Sequence, residues 1–246
     1  MADVRGPIFL ISGGQTMRKR EGPDPLLQVV IRRTGVRRPM ISYLGTASGD
    51  DDTFRLWFTR LLQTAGAGEV TLVPLCGRRG DPERAKAILE ASDLVFVSGG
   101  DVKKGMRVLV EKKMTGFLRR LQWSGKLFLG VSAGSIMLAR KWVCWKDPHN
   151  DESAEIFSCL GLAPILCDTH GEGEGWVELK TLLTLSPTDA VGYGIPSGTA
   201  IVVEPDRTLS VLGGEVDRFR RRTNGVVRIK GLVPDKNTRR SHRIGF

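Results

Sequence analysis

The chain has 246 residues, 26% of them charged, and 37 Lys and Arg set against 27 Asp and Glu leave a net charge of +10. That length holds one sizeable α/β core, and the basic residues are spread along the chain rather than interleaved with aromatics in a nucleic-acid module, so a solvated basic surface and no nucleic-acid partner are expected. Cys76, Cys144, Cys159 and Cys167 show no paired close spacing, which with three histidines argues against a zinc site and for reduced thiols.

In chain order, Ile8 to Ser12, Met40 to Gly45, Glu69 to Pro74, Asp93 to Val97 and Lys126 to Val131 read as short apolar strands. Between them Leu26 to Arg33, Thr53 to Ala65, Pro82 to Ala91 and Val102 to Leu121 carry helical spacing. Asp52 and Asp81 stand where N-caps of the second and third helices belong. The alternation predicts a three-layer, doubly wound α/β fold with a mostly parallel sheet. After Gly161 come a strand at Ile165 to Asp168, a helix at Trp176 to Leu183, and β-like pieces at Ala190 to Ile195, Thr199 to Val203, Thr208 to Leu212 and Val226 to Lys230. Gly198, Pro205-Asp206 and Gly213-Gly214 punctuate them, so antiparallel strands along one sheet edge are expected. One domain covers residues 1–246, with a basic, mobile tail after Pro234. The apolar stretch Pro7 to Ile11 is too short for a signal-peptide core and no run approaches the ~18 apolar residues of a membrane span, so a cytoplasmic protein without a membrane partner is expected.

The most informative segment is Gly130-Val131-Ser132-Ala133-Gly134. An apolar strand precedes it and Ser135 to Ala139 reads as a helix, so Ser132 occupies a sharp strand-to-helix turn, the way a nucleophilic hydroxyl is presented. Ligands of open α/β sheets sit beyond the carboxyl ends of the strands, which directs attention to the loops Ser12-Gly13-Gly14 and Ser98-Gly99-Gly100-Asp101 on the same rim. An N–H of Gly100 or Asp101 together with that of Ala133 makes a two-donor oxyanion hole. A serine needs a base. Of the three histidines, His242 lies in the basic tail and His149 in a polar loop, whereas His170 ends a strand and opens Gly171-Glu172-Gly173-Glu174-Gly175, a loop able to shape itself round a substrate. His170 is the expected base, with His149 in reserve, and Asp101, Glu172 and Glu174 are candidate substrate contacts on these loops. No metal or organic cofactor is called for.

The sequence resembles the dipeptidase E and cyanophycinase family of serine peptidases, relatives of the class I glutamine amidotransferase fold. The resemblance rests on Tyr43 to Ala47, Phe96 to Asp101, Gly130 to Ser135, Asp168-Thr169-His170 and Gly194 to Thr199. It implies Ser132 as nucleophile, His170 as base, and Gly99, Gly100 and Ala133 as the oxyanion hole. It also implies a small acidic peptide or isopeptide as substrate, an aspartyl dipeptide or the arginine-decorated polyaspartate polymer. The acid departs from the pattern: some relatives carry a glutamate in the turn that is Pro196-Ser197-Gly198 here. Another family carboxylate falls fifteen residues after the nucleophile, which names Asp147 as the residue orienting His170, with Asp168, Glu172 and Glu174 as alternatives. A silent binding relative without its acid and an amidotransferase-like enzyme are the competing readings; the second wants a cysteine where Ser132 stands. A homodimer is the default oligomer.

Overall fold

A computed structural model describes residues 5–13, 22–78, 80–147 and 149–234. Gly14, the tail after Pro234 and His242 lie outside the described residues. Seven strands form the central sheet: β1 (Ile8–Ile11), β2 (Ile41–Leu44), β3 (Val70–Leu72), β4 (Leu94–Val97), β5 (Leu127–Val131), β10 (Ala200–Val203) and β11 (Leu209–Leu212). Their order is β11-β10-β1-β5-β4-β2-β3. The five N-terminal strands run parallel, while β10 pairs antiparallel with β1 and with β11.

Side chains two residues apart share a sheet face, and this sorts the apolar strands into two cores. Phe9, Ile11, Tyr43, Phe96, Leu129 and Val131 face the helices Pro25–Arg33 and Asp52–Thr64, where Leu27, Phe58 and Leu62 meet them. Ile8, Leu10, Leu44, Val95, Val97 and Phe128 face the other way, onto the helices Pro82–Ala91, Val102–Glu111, Thr115–Trp123 and Ala133–Leu138. Burial on both faces is why these strands read as continuous apolar runs. The result is the three-layer, mostly parallel α/β fold that the alternation predicts.

Several elements differ from expectation. Asp51, not Asp52, caps the second helix, its side chain accepting from the Phe54 amide at 2.7 Å. The long segment from Val102 to Leu121 is two helices, parted at Lys113, whose φ of +55° ends the first one. A hairpin of β6 (Lys141–Trp145) and β7 (Ala154–Ser158) stands where the sequence pattern predicts no element.

The C-terminal strands do not all extend the edge of the main sheet. β8 (Leu166–Thr169), β9 (Val191–Ile195), β12 (Val216–Arg222) and β13 (Gly225–Leu232) make a separate four-stranded sheet in the order β13-β12-β9-β8. Within it β8 and β9 are parallel, with Thr169 opposite Ile195. The helix Val177–Thr184 packs on this sheet through Leu179 and Leu183, which approach the bare backbone of Gly192. The basic run Arg218 to Arg222 is a strand, anchored by buried Phe219 beneath Lys180. Among the described residues no helix is long and apolar enough to cross a membrane.

The parallel strands all deliver their carboxyl ends to one rim, and the chain from β5 to the next helix passes there through very little space. A Cβ on Gly134 would lie 2.0 Å from the Val97 carbonyl oxygen, a backbone atom that cannot step aside. Gly134→Ala is therefore expected to cost about 3 kcal/mol or more, lowering the melting temperature by roughly 6–12 °C for a chain of this size. Gly173→Ala, where nothing stands within 4 Å, should melt within about 2 °C of the parent; thermal unfolding by circular dichroism reads both.

Candidate active site

Ser132 lies between β5 and the Ala133–Leu138 helix with φ +55° and ψ −125°, a region that costs a residue bearing a side chain about 1–3 kcal/mol. Its neighbours hold it there. The Ile11 carbonyl at the end of β1 accepts from the Ser132 amide at 3.0 Å and from the Ser135 hydroxyl at 2.9 Å. The flanking glycines leave no alternative path: a Cβ on Gly130 would meet the Ser135 amide nitrogen at 2.6 Å. Ser132 itself is half-buried.

Its Oγ stands 2.8 Å from Nε2 of His170. These two side chains are 38 positions apart in sequence and reach each other from two different sheets. His170 follows β8 directly, its amide donating to the Ile195 carbonyl at 3.0 Å, and a φ of +47° turns its ring out of the strand line. Behind it the loop closes on a buried Trp176. The Gly171 carbonyl accepts from the Trp176 amide at 2.9 Å, and the indole N–H donates to Asp217 Oδ2 on β12 at 2.8 Å. Cβ atoms at Gly171 and Gly194 would reach the indole at 3.0 and 2.6 Å. The glycine-rich loop is thus moulded on a tryptophan whose place in the sequence marks only the start of a helix.

The Gly99–Gly100 loop borders the same point. Gly99 packs on Ser132, where its absent Cβ would sit 3.3 Å from the Ser132 Cβ. Gly100 has φ +136°, and a side chain there would strike the Ala47 carbonyl at 2.4 Å. Among the described residues, neither the Gly100 amide nor the first-turn amide of Ala133 donates to a protein acceptor. Asp101 has a structural duty: its Oδ1 accepts from the Lys104 amide at 2.8 Å and caps the following helix.

Ser132, Ala133, His170, Gly100 and Asp101 all line one cleft of about 500 Å³, a volume suited to a small ligand. Trp142 to Trp145 of β6 form another wall, supplied by the hairpin that sequence reasoning missed. The short apolar, aromatic-rich run Trp142 to Trp145 was the available signal.

The carboxylates are distributed differently from expectation. Asp147 is exposed at the tip of the β6–β7 hairpin; its Oδ1 accepts from the His149 amide at 3.0 Å, and it is not among the cleft-lining residues. Its bond is to its own turn, and among the described residues none joins it to the His170 ring. His149, the reserve base, lies in that same exposed turn. Asp168 is buried at the cleft wall, bound to the Thr169 amide at 2.7 Å. Burial pushes its carboxyl up to about 7; the Thr169 and Leu179 amides pull against this, and the charges of Glu178 and Glu174 add to it. Glu178 also lines the cleft, and its carboxyl is raised by desolvation and by Glu174. Glu172 lies outside the lining; it accepts from the Ser197 amide at 3.0 Å. Glu174 is exposed beside it. Among the described residues no group of His, Cys, Asp and Glu side chains is gathered as a metal-ligand set.

The sequence profile of peptidase family S51 matches residues 8–211. The chain belongs to this family. Its relatives include the cyanophycinase of Synechococcus elongatus, 27% identical over 217 residues, which make up 85% of this chain and 66% of that protein. The cyanophycinase of a Nostoc species is 26% identical over 212 residues, 84% of this chain and 70% of the relative. The chain thus spans slightly under two thirds of the Synechococcus protein's length. A crystal structure of a peptidase from an acI-B1 Actinobacterium shares the fold, with a TM-score of 0.71 at 18% identity over 95% of this chain and 98% of the other.

A carboxyl held near 7 makes stability depend on pH in a definite direction. The folded value lies above that of an unfolded aspartate, about 3.9, so the stability Asp168 contributes is complete below about pH 4 and is lost as pH rises through about 7. Asp168→Asn stays uncharged throughout. It is expected to melt above the parent at pH 8, with the gain shrinking to nothing near pH 4; melting curves across that range check it.

Proposed function

We propose that this S51 peptidase is a serine hydrolase that cleaves aspartyl peptide or isopeptide bonds through an acyl-enzyme on Ser132. The contact of 2.8 Å between Ser132 Oγ and His170 Nε2 carries the reading. Oγ attacks the scissile carbonyl carbon as Nε2 takes its proton. The carbonyl oxygen gains the negative charge beside the amides of Gly100 and Ala133. Collapse of the tetrahedral species breaks the C–N bond, and the imidazolium returns the proton to the departing amine. Water then attacks the acyl-serine with His170 again as base, regenerating the hydroxyl and releasing the acid.

The cleft narrows the substrate class. Although the chain carries a net charge of +10, the charged lining is Asp101, Asp151, Asp168 and Glu178 against Lys103. An aspartyl residue whose carboxyl is being cleaved, joined to an arginine, offers a guanidinium that fits this lining. A plain acidic dipeptide brings further negative charge to it. Arginine-decorated polyaspartate, the cyanophycin-like alternative, is thereby favoured over free aspartyl dipeptides. The amidotransferase reading finds no support in the thiols: burial pushes those of Cys76 and Cys159 up to about 12, where the thiolate is scarce.

A serine-directed fluorophosphonate is expected to label the wild type and to leave Ser132→Ala unlabelled, and release of β-linked Asp-Arg from cyanophycin should vanish in the same variant. Cleavage surviving in Ser132→Ala would refute the nucleophile. A guanidinium seated by Asp168 favours that group's ionised form, so binding of a β-Asp-Arg dipeptide to Ser132→Ala should tighten from pH 6 to pH 8 and release protons. Calorimetry in buffers of different ionisation enthalpy measures both, and pH-independent binding without proton release would remove Asp168 from that contact.

A further inference from the structure

We propose that Glu172 is the positioning carboxylate of the His170 base, held in place by the backbone of the turn at Ser197; this rests on the peptidase reading above. For Nε2, 2.8 Å from the Ser132 hydroxyl, to take the serine proton, the ring must carry its own proton on Nδ1. That N–H needs an acceptor, and the imidazolium formed during attack needs a nearby negative charge.

Asp147, which the family resemblance implies, and the alternative Asp168 both have backbone partners of their own. Asp147 closes a turn with His149, and Asp168 is bound to the amides of Thr169 and Leu179. Glu172 is placed otherwise. His170 is bonded through its amide to Ile195, the last residue of β9, and two residues later the Ser197 amide donates to Glu172 Oε1 at 3.0 Å. The carboxylate and the base therefore hang from adjacent points of one strand end.

The donor is rigid. The Thr199 amide and hydroxyl both bond to the Pro196 carbonyl, at 3.1 and 2.6 Å, and Gly198 takes φ +79°, the geometry of a tight turn with glycine where φ must be positive. Gly213 packs against the Gly198 carbonyl so closely that a Cβ would lie 2.3 Å from it. The two side chains also sense each other. Partial burial opposes ionisation of Glu172, but the Ser197 amide and hydroxyl and the His170 ring outweigh it and hold the carboxyl below its ordinary range. A charged Glu172 hung from the strand end that also holds His170 has the charge an orienting partner needs. Ser197 then supplies the anchoring amide in place of a carboxylate of its own.

Glu172→Gln separates charge from structure, because the amide oxygen of glutamine still accepts from Ser197. The fluorophosphonate labelling rate is expected to fall about 100-fold or more, toward the ~10⁴-fold that a triad acid can be worth, at an unchanged melting temperature. Asp147→Asn should label within about threefold of wild type, as an exposed site does. The downfield proton resonance of the His170 Nδ1–H should shift in Glu172→Gln and stay in place in Asp147→Asn. A crystal structure of the wild-type phosphonyl adduct needs no variant: Glu172 within hydrogen-bond reach of Nδ1 is the expected result, and Asp147 or Asp168 there overturns the inference. Undiminished labelling of Glu172→Gln overturns it too while leaving the peptidase standing. A wild type that is never labelled removes both.

Discussion

Ser132 keeps its strained backbone because the polypeptide surrounds it at contact distance. The Val97 carbonyl bars any side chain at Gly134, the Ser135 amide bars one at Gly130, and the Ile11 carbonyl grips the chain from β1. None of these atoms is a flexible side chain, so the strain of about 1–3 kcal/mol cannot relax without parting the strands. The β1–β5 and β4–β5 pairings are consequently as much a part of the site as the hydroxyl they present. Two cores press on that junction from opposite faces of the sheet, with Leu129 and Val131 contributing to one and Phe128 to the other. Burial of this kind is what offsets a local penalty.

The second half of the site comes from a different sheet, and its alignment with the first is a packing problem. The four-stranded sheet places β8 against the helix that follows Ser132: the Cys167 thiol lies 3.9 Å from the Ser135 carbonyl, and both residues are buried. Trp176 fastens the loop after His170 to β9 and β12 through close approach to Gly194 and the bond to Asp217. Charge is separated along the same lines. The arginines of β12 belong to the far strands of that sheet, while the carboxylates Asp168 and Glu178 look into the cleft. A net charge summed over the chain therefore says little about the charge a ligand meets.

How much of this could be read from the sequence follows from the range of the interactions concerned. Strands buried on both faces and the helices between them are local features, legible from Ile8 to Val131 apart from the cap at Asp51 and the break at Lys113. The elbow was legible too, because glycines at fixed offsets and a strand-to-helix change are encoded within ten residues. Illegible were the choices between long-range partners. Val191 to Ile195 pairs with β8 and β12, whereas Ala200 to Val203 pairs with β1, and nothing in the composition of two apolar strands parted by Pro196-Ser197-Gly198 tells them apart. Trp142 to Trp145 became cleft wall only once the hairpin had folded over the rim. The break at Lys113 was equally hidden, for a lysine in the left-handed region has no signature of its own.

The orienting carboxylate was the hardest to read, for a reason that lies in the chemistry of the turn. A carboxylate beside an imidazole has to be in the right place and ionised; its position along the chain is immaterial. The family resemblance implies Asp147, yet that residue sits at an exposed hairpin tip where its side chain accepts from the His149 amide. The Pro196–Thr199 turn offers a fixed amide next to the strand end that holds His170, and an amide attracts whichever acid can reach it. Glu172 reaches it because a φ of +47° at His170 and the short helical turn Glu172–Glu174 fold the loop back toward β9. On this view the anchoring point is what the fold supplies, and the chain is free to deliver the charge from either side of it.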